Sequence, residues 1–177
     1  MSRMDERIEF EQATMGAMDL VYNLARRSVP TREDAQDLVQ ETYLQAFRAW
    51  KAHRRPRKVE PWLATICLNL VRSRYRRLSR RPKELPWLDE AAEPRDLRPE
   101  TDLDQEDARA LHEALWRLND DQRIAITLVD LDGFSVAETA EIMDTPKGTV
   151  LSRLHRGRRA LAGLLEIEVM ETTDEDP

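Results

Sequence analysis

Apolar side chains recur at three- and four-residue steps along most of the chain, which is the period of α-helices with one buried face. The first such run predicts a helix from about Asp5 to Arg27, ending before Pro30. The residues expected to face the core are Phe10, Met15, Met18, Val21, Leu24 and Ala25. The chain is therefore predicted to open with an amphipathic helix.

Thr31 is placed to cap a second helix, because Glu33 and Asp34 follow where acidic side chains favour the positive end of the helix dipole. The expected core stripe is Ala35, Leu38, Val39, Thr42, Tyr43, Ala46, Phe47 and Trp50. The opposite face carries Asp37, Gln40, Glu41 and Gln45. Solvation alone explains this polar face, and contact with a partner explains it equally well.

After a basic loop at residues 51–60, Pro61 is predicted to open a third helix. Its expected core side is Trp62, Leu63, Ile66, Cys67, Leu70 and Val71. Its end carries Arg72, Arg74, Arg76 and Arg77. One or two arginines near a helix C-terminus complement the dipole, but four followed by Arg80 and Arg81 predict phosphate binding. Asn69 is a poor helix former among apolar neighbours, and a hydrogen bond to the backbone is its structural explanation.

Residues 82–107 are predicted to form a linker, since they include four prolines, carry ten acids against three bases and show no sustained periodicity. Beyond it, one apolar stripe is Ala110, Leu111, Ala114, Leu115 and Leu118. Asn119 is expected to cap the next helix and Gly133 to end it. The apolar positions of that helix are Ile124, Ala125, Leu128, Val129 and Leu131. The predicted fold is all-α, with helical domains at residues 1–81 and 108–165 and an acidic tail at residues 166–177.

Residues 134–159 predict two short helices joined by a tight turn. Ser135 and Glu138 fit a capping box, Asp144 interrupts the first helix, Thr145 caps again, and Pro146 fits the first position of the second helix. In that second helix Val150, Leu154 and Leu161 are expected to point inward. Another face carries Thr149, Ser152, Arg153 and Arg156, which suit phosphates and base edges in a DNA major groove. A helix-turn-helix is the prediction, with an ordinary helical hairpin as the alternative.

The net charge of −6 is distributed unevenly along the chain. Between Arg48 and Arg81 twelve Lys and Arg residues face Glu60 alone, a balance of +11, whereas residues 82–107 sum to −7. The segment from Glu166 onward carries six acids and no base. Different segments are therefore expected to meet different partners, and the basic ones nucleic acid.

No run of residues approaches a membrane span, and the polar N-terminus is unlike a secretory signal, so a cytoplasmic protein is expected. The single cysteine, Cys67, excludes an internal disulfide and is expected to be a buried structural thiol. Phosphate-loop, nucleophile-elbow and metal-ligand spacings do not occur, and the three histidines are far apart in sequence. No cofactor, metal or catalytic residue is predicted.

The sequence P-K-G-T-V-L-S-R-L-H-R-G-R-R, residues 146–159, resembles the last conserved region of bacterial sigma factors of the extracytoplasmic-function family. The sequence E-D-A-Q-D-L-V-Q-E-T-Y-L-Q-A-F, residues 33–47, is similar to the family's polymerase-docking segment, and W-L-x-x-I-x-x-N at residues 62–69 to its promoter-opening signature. The resemblance implies a transcription initiation factor, not an enzyme, that binds core RNA polymerase and promoter DNA.

The resemblance assigns three groups of site residues. Contacts with the upstream promoter element are implied for Lys147, Thr149, Leu151, Ser152, Arg153, His155 and Arg156. Contacts with the downstream element are implied for Asn69, Arg72, Arg74, Tyr75, Arg76 and Arg77. Contacts with core polymerase are implied for Asp34, Asp37, Leu38, Gln40, Glu41 and Phe47. Leu151 departs from the family, where Lys or Arg is usual, and Gln36 replaces a frequent acid.

The amino-acid sequence of the helix-turn-helix is most similar to that of the thiol-oxidative-stress group of actinobacterial sigma factors, which zinc-binding anti-sigma factors hold inactive. An anti-sigma partner and a monomeric free state are therefore expected. The sequence leaves two alternative functions. A stand-alone helix-turn-helix regulator with an N-terminal sensor bundle would dimerise on a palindromic duplex. A nucleic-acid-modifying enzyme would need a catalytic cluster.

Overall fold

The computed structural model describes residues 3–52, 55–79 and 105–173, and every regular element within those ranges is helical. The chain divides into two units, Met1–Arg95 and Asp96–Pro177, here called the N-terminal and C-terminal units. The predicted all-α fold with two helical domains is thereby confirmed. Most of the predicted linker, residues 82–104, and the last tail residues, 174–177, lie outside the described ranges.

The described part of the N-terminal unit contains α1 (Arg3–Thr14), α2 (Met18–Arg26), α3 (Arg32–Lys51) and α4 (Val59–Ser79). Helices α3 and α4 pack against each other, and α2 packs against both. Phe10 of α1 lies among the rings of Tyr43, Phe47 and Trp50, with centroid separations of 6.3, 5.2 and 5.6 Å. Such aromatic contacts fix α1 on α3.

The predicted single helix at residues 5–27 is broken by a 3₁₀ turn at Met15–Ala17. Gly16 lies in this turn, where its backbone freedom disfavours a continuous helix. The turn changes the helical phase, so Met15 and Met18 are 74% and 43% exposed. Their predicted burial was wrong, whereas the four other predicted core residues are buried.

The start of α3 was predicted correctly. Thr31 has extended dihedral angles, and its Oγ1 accepts a hydrogen bond from Asp34 N at 3.1 Å. Helix α4 begins at Val59, two residues before the predicted start at Pro61. Proline is tolerated there because the first-turn N–H groups of a helix have no intrahelical partner.

The C-terminal unit contains α5 (Gln105–Arg117), α6 (Asp120–Ile126), a π-helical turn (Thr127–Leu131), α7 (Val136–Ile142) and α8 (Lys147–Thr173). Helix α8 packs against α5, α6 and α7. It continues beyond the predicted domain end at Leu165, since no Gly or Pro occurs between that residue and Thr173. The first part of the predicted acidic tail is therefore helical.

Two predicted boundary residues act as expected in this unit. Asn119 Oδ1 accepts from Gln122 N at 2.9 Å, and Gly133 has a φ of 76°, which suits glycine at a helix end. Leu131 is 38% exposed, against its predicted burial. The π-helical turn explains this, because Leu131 is its last residue and the wider spacing of the turn rotates it away from the position that a continuous α-helix would give it.

Candidate nucleic-acid interface

Helix α7 begins with a reciprocal hydrogen-bonded cap. Ser135 Oγ accepts from Glu138 N at 3.2 Å, and Ser135 N donates to Glu138 Oε2 at 3.1 Å. This is the predicted capping box. Because α7 has only seven residues, the cap supplies a large share of the hydrogen bonds at its N-terminus.

The turn between α7 and α8 is closed by backbone hydrogen bonds. Asp144 has a φ of 50°, its N–H donates to Glu141 O at 3.2 Å, and Thr145 N donates to Ala140 O at 2.9 Å. These bonds form a Schellman motif with Asp144 in the left-handed position. Helix α8 then begins at Lys147, so the cap position is occupied by Pro146 rather than by the predicted Thr145.

The inner face of α8 packs against α6 and α7, and its side chains determine how closely these helices approach. Val150 and Leu154 are buried as predicted. Gly157, which sequence reasoning missed, is also buried, and a β-carbon at this position would lie 2.8 Å from Ile126 Cδ1 and 3.2 Å from Gln122 Cβ. Helices α6 and α8 therefore cross closely at Gly157.

The outer face of α8 carries most of the predicted upstream-contact residues. The exposed ones are Lys147, Leu151, Ser152, His155 and Arg156. Thr149 is half-buried, and its carbonyl oxygen accepts from Ser152 Oγ at 3.0 Å. The first turns of α8 thus present a cation, a hydroxyl, an imidazole and one apolar side chain on one surface.

Two arginines of α8 are held by carboxylates of the preceding helices. Arg153, predicted to contact DNA, forms an ion pair with Asp121 of α6. Arg158 makes two hydrogen bonds to Asp130 of the π-helical turn, at 2.9 and 2.6 Å. These pairs fix the rotation of α8, and a DNA contact by Arg153 must compete with or extend its bond to Asp121.

Helix α4 divides the residues predicted to contact the downstream element. Asn69, Arg72 and Arg76 follow each other at three- and four-residue steps and therefore share a face. Asn69 and Arg76 are exposed, as are Arg77 and Tyr75, whose hydroxyl contacts Ser28 O at 3.4 Å. This face combines an amide with guanidinium groups.

Arg74 lies elsewhere on α4, about 140° around the helix from Asn69. Its guanidinium contacts Glu41 Oε2 at 3.4 Å and Asp34 O at 3.3 Å, and lies 3.9 Å from Asp34 Oδ1. The structure therefore separates Arg74 from the face shared by Asn69, Arg72 and Arg76. Its side chain ties α4 to α3 and neutralises part of the acidic face of α3.

The predicted polymerase-docking residues of α3 also fall into two groups. Asp37 and Gln40 are exposed, but Leu38 is fully buried, so the structure places it beneath this face rather than on it. Phe47 is half-buried against Phe10. Leu44 is apolar but does not belong to the predicted core stripe of α3, and it is 51% exposed. Its position outside the stripe is the sequence signal that would have identified it as a surface residue.

Cys67 is buried between α3 and α4, as predicted. Burial raises the pKa of its thiol to about 12, and a hydrogen bond with Thr42 and the charge of Arg74 offset this only in part. The thiol is therefore protonated at neutral pH, which makes it a poor nucleophile and a poor metal ligand.

In residues 3–52, 55–79 and 105–173, no group of three or more His, Cys, Asp or Glu side chains is arranged to hold a metal ion. The same stretches include no helix with the length and apolar character that a membrane crossing requires.

Two protein families match the chain in the regions that form these surfaces. Residues 17–81 match sigma-70 region 2, and residues 108–161 match sigma-70 region 4. Region 2 thus covers α2 to α4, and region 4 covers most of α5 through the first half of α8.

Similar proteins span both units. The chain is 35% identical to the ECF RNA polymerase sigma factor SigM of Mycobacterium tuberculosis over 90% of its own length and 79% of the relative. It is 34% identical to the ECF RNA polymerase sigma-E factor of Escherichia coli K12, over 80% and 78%. The solved sigma factor RpoE of Bartonella quintana, in complex with the anti-sigma factor NepR, is 26% identical with a TM-score of 0.74, over 90% and 98%. The chain therefore belongs to the ECF family of RNA polymerase sigma factors.

Proposed function

We propose that this protein binds core RNA polymerase, directs it to promoters of a particular sequence and assists their opening. One observation carries the proposal: a helix-turn-helix with an exposed polar and cationic face occurs in the same chain as a second unit whose α4 combines Asn69 with arginines. Two DNA-reading surfaces on one chain suit two separated promoter elements. The corresponding domains are residues 1–81 and 108–165.

The upstream element is read by α8 in the major groove. Lys147 and Arg156 are exposed cations suited to phosphates, and Ser152 and His155 lie between them. The N-terminal half of a recognition helix is the part that reaches base edges, and all four residues lie there. Arg153 contributes while held by Asp121, which restricts its guanidinium to one side of the helix.

The downstream element is opened on α4. Arg72, Arg76 and Arg77 hold the phosphate backbone, and the Asn69 amide hydrogen-bonds an extruded base. Tyr75 offers an exposed ring for stacking. Arg74 is assigned a supporting role, because its contacts with Glu41 and the Asp34 carbonyl direct it toward α3.

Core polymerase docks on the outer face of α3. Asp37, Gln40 and Leu44 present an acid, an amide and an apolar side chain at three- and four-residue steps. Asp34 and Glu41 flank them, partly neutralised by Arg74. A basic partner surface with an apolar centre fits this arrangement, and the charges would steer its approach.

The proposed inhibitor is an anti-sigma factor. In the solved complex from Bartonella quintana, the sigma factor RpoE is bound to the anti-sigma factor NepR. The free protein is expected to be a cytoplasmic monomer, because its partners are polymerase and chromosomal promoters. Assignment to the thiol-oxidative-stress group stays a prediction.

Run-off transcription from genomic fragments tests the proposed function. Purified core polymerase is assayed with and without this protein, and specific transcripts are expected only when both are present. A chain that leaves core polymerase unchanged yet binds a palindromic duplex tightly as a dimer would be the rival regulator instead.

Asn69→Ala is expected to reduce promoter opening about fivefold while leaving closed-complex formation nearly unchanged, since about 1 kcal/mol is typical for the net contribution of one hydrogen bond. Permanganate reactivity of unpaired thymines measures opening, and footprinting measures the closed complex. Asn23→Ala, an exposed asparagine of α2, is the matched control and should have no effect. Equal loss in both assays would place Asn69 in duplex binding instead.

The double variant Asp37→Ala, Gln40→Ala is expected to weaken core-polymerase binding about fivefold, because each exposed polar contact contributes about 0.5 kcal/mol. Fluorescence anisotropy of labelled protein titrated with core enzyme gives the affinity. The double variant Gln12→Ala, Asp19→Ala makes the same chemical changes at exposed positions of α1 and α2. Identical affinities for the two double variants would remove the docking assignment from α3.

A further inference from the structure

We infer that Leu151 is a specificity-determining residue that recognises the 5-methyl group of a thymine in the upstream promoter element. The inference rests on the proposed function, because it requires α8 to enter the major groove. It goes beyond that function by naming the base and the chemical group that one side chain selects.

Leu151 is conspicuous for its exposure. It is the fifth residue of α8, and 54% of its surface is accessible, whereas Val150 and Leu154 on either side are buried. Intramolecular packing therefore covers less than half of this large apolar side chain. Its neighbours one turn before and after are Lys147 and His155, both exposed and polar.

The space beside Leu151 is open. Gly148 lies one turn earlier, and a β-carbon built at that residue would meet nothing within 4 Å. The surface on the N-terminal side of Leu151 is therefore free of packed side chains at Gly148, which leaves space for a base edge there. Lys147 lies on the same approach and would pair with a phosphate.

Among the groups on the floor of the major groove, the thymine methyl is the apolar one, since the other base edges present hydrogen-bond donors and acceptors. Leu151 cannot satisfy those donors and acceptors and would desolvate them. A thymine methyl instead loses water contact against the leucine, which favours binding. The side chain thus favours A·T pairs that place thymine on the contacted strand.

The test removes the methyl group alone. Each thymine of the upstream element is replaced singly by deoxyuridine, and binding of the holoenzyme to each duplex is measured. One thymine, or two adjacent ones, should show about a fourfold loss of affinity with the wild-type protein, as expected for one buried methyl. Leu151→Ala should bind the thymine and deoxyuridine duplexes equally.

Leu131→Ala is the matched control, because Leu131 is an exposed leucine of the π-helical turn rather than of α8. It should retain the fourfold preference for thymine. The inference is overturned if Leu151→Ala keeps that preference, or if no thymine is sensitive although the holoenzyme protects the upstream element. Weakened binding of core polymerase or an anti-sigma factor by Leu151→Ala, without any thymine effect, would overturn it in favour of a protein contact. If the holoenzyme protects no DNA in the upstream element, the proposed function itself would be contradicted.

Discussion

Gly157→Ala is expected to destabilise the C-terminal unit by roughly 1–2 kcal/mol, because the new methyl overpacks the crossing of α6 and α8. Ile126 is buried, so its side chain has little room to move from a β-carbon 2.8 Å away. Gln122 Cβ, at 3.2 Å, moves only with the backbone of α6. The helices must separate, and the helix preference of alanine offsets only part of the cost.

The same substitution elsewhere on α8 provides the control. A β-carbon at Gly163 would meet nothing within 4 Å, so Gly163→Ala should stabilise the unit by up to about 1 kcal/mol through helix propensity alone. Thermal unfolding of the full chain, with hydrogen exchange followed in residues 108–165, measures both variants. Two glycine variants that shift stability in the same direction would contradict the close crossing at Gly157.

Arg123→Ala is expected to cost the C-terminal unit about 2–3 kcal/mol. Arg123 is 2% exposed, and its guanidinium donates to Asp120 and to the Leu118 carbonyl and stacks 4.1 Å from the centre of the Trp116 ring. Its removal eliminates a cation–π contact, charged hydrogen bonds and the packing of a long side chain. Relief of the desolvation cost of a buried cation limits the loss.

The exposed neighbour Arg117→Ala should change stability by less than about 0.5 kcal/mol, since it removes the same side chain from the surface of α5. Arg123→Met keeps most of the packing volume and should fall between the two. Urea unfolding monitored by circular dichroism gives the differences, provided that the slope is unchanged. A cost for Arg123→Ala no larger than that for Arg117→Ala would show that the buried contacts contribute little.

Helix ends were the features that sequence reasoning predicted best. Thr31, Asn119 and Ser135 cap helices through bonds to residues three positions away, and Gly133 adopts its left-handed angle locally. Such interactions lie within four residues, so the order of residue types is enough to predict them. The core stripe of α3 was equally predictable, because an uninterrupted helix keeps its period.

The errors fall where the helical period changes or where contacts join distant segments. Met15 and Leu131 are exposed because a 3₁₀ turn and a π-helical turn shift the phase, and the sequence marks neither turn strongly. The pairs of Arg74 with Glu41 and of Arg153 with Asp121 join residues more than 30 positions apart. Their existence depends on helix packing, which the chain's periodicity does not specify.

The candidate site shows the same difference between local features and long-range contacts. Residue types and spacing predicted which residues of α4 and α8 are exposed better than which of their arginines form ion pairs with acids of other helices. Leu38 shows this most clearly, since the apolar period assigned it to the core and the resemblance to a contact surface, and the structure buries it. Resemblance to a motif therefore does not distinguish exposed residues from buried ones, whereas the structure does.

The burial of Cys67 determines where an oxidative signal can be detected. A fully covered thiol with a pKa of about 12 does not react with peroxide at a useful rate, and these 177 residues contain no other cysteine. If thiol oxidation controls this factor, the reacting thiol must therefore belong to a separate molecule whose release or capture of the protein changes with redox state. Such control would act through the occupancy of the protein by its partners and would leave its own cysteine unchanged.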